Sequence, residues 1–282
     1  MTSDAAAPNQ PQIDYWNGRA GERWASEQET LDRSLERFGQ AALAKARARA
    51  GEHVLDVGCG TGATTIDLAK AVGVSGSVLA VDVSAPMLAR AKERATSLAN
   101  ISFLEADAAT SQFESTKDLI FSRFGVMFFA DPALAFTNLR GALKESGRLA
   151  FVCWRKLAEN PWMEVPLTAA ASFAPPSEPE PPHAPGPLAF ADPTRIATIL
   201  AEAGFDDISI TPFDSEFVVS ENGIDGAVMA AMRIGPAARL VAEASDEVRP
   251  KIREAMHAAL LPYLRSNVVA LPAGTWIVEA KW

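Results

Sequence analysis

Cysteine is nearly absent from this chain, with two among 282 residues. Cys59 and Cys153 cannot make a disulfide framework. Neither has a metal-ligand neighbour at usable spacing, and the three histidines are scattered, so no metal is expected. A reduced, cytoplasmic setting is the simple expectation. Positive charge is also short: 26 Lys and Arg against 35 Asp and Glu, a net charge of −9. Phosphate binding needs clustered cations, so nucleic acid is not an expected partner. The densest basic run, Lys45 to Arg49, alternates with alanine and reads as the solvated end of a helix. Long apolar runs are missing too. None reaches the ~18 residues of a membrane span. Met1 to Gln12 lacks the basic and apolar regions of a secretion signal and reads as disordered. With 48% hydrophobic residues, the chain nevertheless has ample material for a buried core.

What the sequence does have is concentrated in His53 to Gly62. An apolar run interrupted by Asp56 reads as a central parallel strand. Gly58, Gly60 and Gly62 follow at alternating positions, where the backbone must turn sharply and admit a ligand. A helical segment, Ala63 to Ala71, comes next, and its N-terminus would offer free N–H groups. The glycines fit two templates. Gly58-x-Gly60-x-x-Ala63 matches a dinucleotide fingerprint, with Asp82 at the tip of the second strand, Val78 to Asp82, placed to accept the ribose hydroxyls. Asp56-x-Gly58-x-Gly60-x-Gly62 is the other. A third strand, Ile101 to Ala108, ends with Asp107 beside Ala108, and a fourth runs from Lys117 to Ser122 into Arg123, Phe124, Gly125 and on to Pro132. A fifth strand is Arg148 to Trp154, after a Lys-Glu-Ser-Gly turn.

Taken together over residues 51–154, these motifs resemble class I S-adenosylmethionine-dependent methyltransferases, and among them small-molecule enzymes of the ubiquinone and menaquinone biosynthesis type. The family usually writes the turn before strand 5 as Lys-Pro-Gly-Gly; Glu145 and Ser146 depart from it. The resemblance implies an α/β fold: a doubly wound, mostly parallel, seven-stranded Rossmann-like sheet with an antiparallel last strand and a helical cap. It implies S-adenosyl-L-methionine as cofactor. Asp56, Gly58, Cys59, Gly60 and Gly62 would form the turn around it. Asp82, Val83 and Met87 would meet the ribose side, Asp107 and Ala108 the adenine, and Ser122 the methionine part. Cys59 reads as a small residue filling the turn. From the N-terminal segment, Tyr15, Trp24 and Arg33 have the spacing of family residues that cover the methionine end, Arg33 holding its carboxylate. On their own these residues also fit plain packing, with Arg33 paired to Glu29 on the surface.

The remainder divides by pattern. Residues 1–50 read as an N-terminal helical segment over the cofactor site, with Tyr15 to Ala50 helical and Leu31, Leu35, Phe38 and Ala42 on one face. Residues 51–154 are the binding core and 155–191 a Pro-rich lid insertion, with seven prolines between Pro175 and Pro187 and an apolar stretch, Trp162 to Phe173, suited to a short helix. Residues 192–212 continue the core, with a helix begun by Asp192-Pro193 and a strand from Asp207 to Thr211. Residues 213–273 are expected as a helical cap, with helices at Gly223–Ile234 and Pro236–Tyr263, the second buried along Val248, Ile252, Ala255 and Ala259. Residues 274–282 hold the last strand, Thr275 to Lys281. The cap also reads as a dimerisation element.

Methyl transfer from a sulfonium asks the protein chiefly for alignment and a dry pocket. No general base declares itself. Tyr15, Arg123, Phe124, Phe128, Trp154 and Trp162 are the acceptor-side candidates, and their aromatic character points to a planar or hydrophobic small molecule; Phe128 and Trp154 equally suit the core. The alternatives are an NAD(P)-dependent oxidoreductase, on the first glycine template, and a non-catalytic S-adenosylmethionine-binding protein.

Overall fold

The computed structural model describes residues 9–174, 181 and 183–282. Three helices precede the sheet: α1 (Gln10–Asn17), α2 (Arg19–Ser26) and α3 (Gln28–Ala46). The single helical run expected from Tyr15 to Ala50 is therefore broken twice. Gly18 is extended, Glu27 leaves the helical region, and Arg47 ends α3 in the left-handed conformation. Gln10 to Gln12, expected as disordered, are helical, with a proline in the first turn of α1; Met1 to Pro8 lie outside the described residues. The stripe Leu31, Leu35, Phe38 and Ala42 is buried as its spacing requires.

The alternation then begins: β1 (His53–Val57), α4 (Ala63–Val72), β2 (Ser77–Asp82), α5 (Ala85–Arg94), β3 (Ile101–Glu105), β4 (Lys117–Arg123), α6 (Pro132–Ala142) and β5 (Leu143–Trp154). Ser84 and Asp131 cap α5 and α6 with side-chain oxygens, each helix carrying proline in its first turn. No helix joins β3 to β4. After α7 (Pro161–Ala171), close to the stretch expected as helical, and α8 (Pro193–Glu202), the chain enters β6 (Asp206–Ser220). Prolines 175, 176, 179 and 182 of the lid insertion lie outside the described residues.

The strand order is β3-β2-β1-β4-β5-β8-β6, parallel from β1 to β5, with β8 (Val268–Lys281) antiparallel to both neighbours. Two-residue β7 (Leu264–Arg265) pairs β8, making eight strands where seven were expected. The antiparallel pair is much longer than expected. β6 runs on to Ser220 and β8 starts at Val268, so residues 213–220 and 268–273 belong to the sheet, not to the helical cap. Pro212 and Pro272 both lie within this pair. Both stand where a strand has a free edge: β6 ends the sheet, and β8 at Pro272 has run past β5, whose pairing stops at Trp154.

The cap is reduced to α9 (Gly223–Ala231), α10 (Ala237–Glu243) and α11 (Arg249–Leu260), so the single long second helix is broken across residues 244–248. On α11 the buried face is Ile252, Met256 and Leu260; Val248, Ala255 and Ala259 are half-buried. Both α10 and α11 pack on α7. No described helix is long and apolar enough to cross a membrane.

Candidate functional site

The strand order reverses between β1 and β4, and open parallel sheets bind ligands in the crevice at such a point. Three carboxylates mark this edge. Asp56 lies in β1, Asp82 ends β2, and Asp107 follows β3, which is hydrogen-bonded to β2 with Asp82 opposite Glu105. The Ala106 N–H donates to the Asp82 carbonyl at 3.0 Å, so Asp107 stands on the same side as Asp82.

Asp82 fixes the glycine turn. Its Oδ2 accepts the Gly60 N–H at 2.7 Å and its Oδ1 the Ser84 N–H at 2.9 Å. Burial pushes this carboxyl upward, and those N–H groups oppose the rise. The N–H groups of Gly58 and Cys59 both go to the Val81 carbonyl, at 2.8 and 3.2 Å, and that of Gly62 to Cys59, at 3.0 Å. These four amides of the turn already serve the fold. The three glycines differ in purpose. A Cβ on Gly58 would lie 2.7 Å from Gly125 Cα, and one on Gly62 3.0 Å from Ala91 Cβ. At Gly60, with φ +54°, the same atom would meet only Met87 Sδ at 3.9 Å. Of the three, Gly60 is where a ligand can approach the backbone.

Asp56 is fully buried. Its Oδ2 accepts from Thr65 Oγ1 at 2.6 Å and Thr64 Oγ1 at 3.4 Å, while Oδ1 is buried without a partner. Burial pushes its carboxyl up to about 6, against the Thr65 hydrogen bond and the charge of Arg123. Cys59 is buried, and burial together with Asp82 and Asp56 raises its thiol well above the ordinary range, which suits an inert filler. Asp107 Oδ1 accepts the Ala109 N–H at 2.9 Å. Buried Ala108 presents its carbonyl to Asn138 Nδ2 at 3.0 Å, and Asn138 also holds Ser111. Ser122 is turned inward: fully buried, its Oγ accepts the Gly125 N–H at 3.2 Å, so it does not face the crevice as expected.

The N-terminal helices lie over this edge, through residues other than those expected. Asn17 donates to the Val83 carbonyl at 2.7 Å and accepts the Ala85 N–H at 2.9 Å, and Ser84 Oγ donates to the Trp16 carbonyl at 2.7 Å. Trp16 is the hub, edge-on to Tyr15, Trp24 and Phe128 with centroids 5.1, 5.6 and 5.2 Å away. Tyr15 is 57% exposed and does not line the crevice. Arg33 is not at the turn either. Its Nε lies 3.4 Å from Glu221, on the rim of a separate cavity of about 150 Å³ shared with Glu27 and Arg233, and Glu29 is not its partner.

On the other side of the crevice, Phe124 has φ +60°, a rare conformation for an aromatic residue. It stacks on Trp154 with centroids 4.2 Å apart and planes 11° from parallel. Trp162 stacks on Phe217 at 3.9 Å and leans on Trp154 at 4.9 Å. Phe124 and Trp154 are buried. Arg123, expected at the mouth of an acceptor site, is instead folded under α3, 3.7 Å from Asp32. Asn17, Asp32, Arg94 and Asn138 escaped sequence reading. Only Asn17 carried a signal, since Asn-Gly marks a break between helices.

Residues 54–147 match the methyltransferase domain family. An aklanonic acid methyltransferase from Streptomyces is 38% identical over 104 residues, covering 36% of this chain and 47% of its own length. A demethylmenaquinone methyltransferase from Staphylococcus aureus is 38% identical over 100 residues, covering 35% and 42%. The chain thus spans less than half the length of these curated relatives. Among solved structures, the phosphoethanolamine N-methyltransferase 2 of Haemonchus contortus, in complex with phosphomonomethylethanolamine and S-adenosylhomocysteine, superposes with a TM-score of 0.57 at 16% identity, covering 98% of this chain and 60% of that one. At that identity the likeness is one of fold. The sheet around residues 54–147 has the Rossmann-like fold of these methyltransferase structures.

Proposed function

We propose that the chain is an S-adenosylmethionine-dependent methyltransferase that alkylates a small hydrophobic or aromatic acceptor by in-line displacement. The observation that carries this reading is the set formed by Asp56 in β1, Asp82 at the end of β2 and Asp107 just after β3, around the glycine turn whose Gly60 has an open face. The residues fit the cofactor. Asp82 would hold the ribose, Asp107 and Ala108 the adenine end, Val83 and Met87 the flank, and the unpartnered Asp56 Oδ1 an ammonium group. They fit a dinucleotide poorly. A pyrophosphate calls for free N–H groups, and here the Gly60 N–H is held by Asp82 with a second carboxylate buried beneath the turn.

When bound, S-adenosylmethionine supplies an activated methyl group on a sulfonium. The chain's own task is then alignment and exclusion of water. Trp16 and Asn17 close the adenosyl side, and the Phe124–Trp154 stack gives the other side an apolar wall. One relative's name places its substrate among quinones, which supports a planar acceptor. The reading includes a cytoplasmic location, in keeping with two free buried cysteines, and self-association through α9 to α11, which light scattering tests.

Titration calorimetry with S-adenosylhomocysteine and with a nicotinamide dinucleotide tests the assignment. Micromolar binding of the first and none of the second is expected; the reverse ends it. If the first binds yet no acceptor in a broad metabolite extract is methylated, the chain is a binding protein instead.

A further inference from the structure

Asp32 reaches from α3 between two arginines at the glycine turn. Its Oδ2 lies 2.7 Å from Arg94 Nη2, its Oδ1 3.7 Å from Arg123 Nη2, and Gln28 donates to Oδ2 at 2.5 Å. Arg94 also donates to the Thr61 carbonyl within the turn at 2.6 Å. Arg123 sits at the end of β4, its side chain 12% exposed, with Gly39 of α3 close over it: a Cβ there would come within 3.2 Å of Arg123 Cδ. The charge of Arg123 acts on Asp56 as well as on Asp32. The glycine turn and the end of β4 therefore bring together two guanidinium groups, one carboxylate from the covering helix and, within reach of the Arg123 charge, Asp56 with its buried, unpartnered Oδ1.

Anchoring a helix needs one such pair. It does not account for the second cation, whose charge also reaches Asp56, and it leaves the Asp56 Oδ1 without a hydrogen bond; a closer opposite charge would satisfy each better. A doubled cation next to an unpartnered anion is the complement of an amino-acid headgroup, whose carboxylate suits guanidinium and whose ammonium suits Asp56. We propose that Asp32 is an internal stand-in for the carboxylate of the ligand's amino-acid end. It holds α3 down on Arg94 and Arg123 and competes with the ligand for them. This rests on the cofactor proposed above. The break at Glu27 gives α2 and the start of α3 a joint at which to move when Asp32 is displaced.

The experiment is calorimetry with two probes on the full chain. S-adenosylhomocysteine carries the amino-acid end; 5′-methylthioadenosine lacks it. For Asp32→Asn, affinity for S-adenosylhomocysteine is expected to rise about tenfold, the order of one charge-assisted contact, with methylthioadenosine unchanged. Arg123→Gln and Arg94→Gln are expected to weaken S-adenosylhomocysteine about tenfold or more and again spare methylthioadenosine. Asp32→Ser serves as the second variant should the asparagine fail to fold. The proposal is overturned if the Asp32 variants bind S-adenosylhomocysteine no better than wild type, or if both probes shift together, since Asp32 is then a mere helix anchor. Wild type that binds neither probe brings down the cofactor reading, and this proposal with it; wild type that binds both isolates the role of Asp32.

Discussion

The β1–β2–β3 edge of the crevice is held by carboxylates on backbone N–H groups, whereas the β4–β5 edge is held by rings on rings. On the first, Asp82 ties Gly60 to Ser84 and Asp107 ties its own loop through Ala109. Each contact spans few residues or adjacent strands, so the shape exists before any ligand arrives. On the second, Phe124, Trp154, Trp162 and Phe217 come from four separate segments and pack against one another. The first edge suits a constant ligand recognised by hydrogen bonds. The second suits one recognised by shape, whose pocket changes whenever one ring is replaced.

The sharpest way to break this contrast is Asp82→Ala. It frees two N–H groups bonded to a charged acceptor, that of Ser84 buried and that of Gly60 half-buried, for about 3 kcal/mol of stability and roughly a hundredfold loss of S-adenosylhomocysteine affinity. Chemical denaturation and calorimetry read both. A loss no larger than that of a ring substitution on the other edge would erase the distinction.

Asp56 comes next. Its carboxyl is raised from 3.8 unfolded to about 6 folded, so the ionised form is disfavoured in the fold. Below the unfolded value it is protonated in both states and has no effect. As pH rises through the window up to about 6 it destabilises the fold, by about 3 kcal/mol once complete. Relative to wild type, Asp56→Asn is expected to gain that amount between pH 4 and 7, read from denaturation midpoints across the range. A flat difference would mean the carboxylate is satisfied in solution.

Asn17→Ala removes two hydrogen bonds that latch α1 to the loop after β2, about 1–2 kcal/mol at an exposed site. Faster hydrogen exchange in α1 and α2 is expected, with the β1–β4 core unaffected. Equal exchange in both variants would show that the Trp16 rings alone hold the helices. The smallest effect belongs to Phe124. Glycine relieves the positive φ that alanine retains, so Phe124→Gly should exceed Phe124→Ala in stability by about 1 kcal/mol although both lose the ring stack. Thermal melts of the pair decide it, and alanine equal to glycine would refute strain at this position.

Legibility followed the same divide. The positions of Asp56, Gly60, Asp82 and Asp107 were readable because local pattern dictates strand ends and turns. Arg33 was misplaced because spacing says which residue could reach a site, not what it pairs with; Glu221, 188 positions on, claims it. Tyr15 was preferred to Trp16, its neighbour, since a break at Gly18 sets which ring turns inward. The long β6–β8 ladder was missed because residues 213–273 were taken together as a helical cap, whereas strand pairing there is fixed by partners some sixty residues apart.

By itself the sequence determined the order of strands β1 to β5, the glycine turn and the acids at the strand tips, since these follow from periodicity, steric freedom and hydrogen-bonding chemistry within a few residues. Only the tertiary structure decided that Asp32 lies between Arg94 and Arg123, that Asn17 latches the covering helices, and which rings share a wall. Those contacts join segments tens to hundreds of residues apart, and their partners are chosen by packing, which leaves no local mark along the chain.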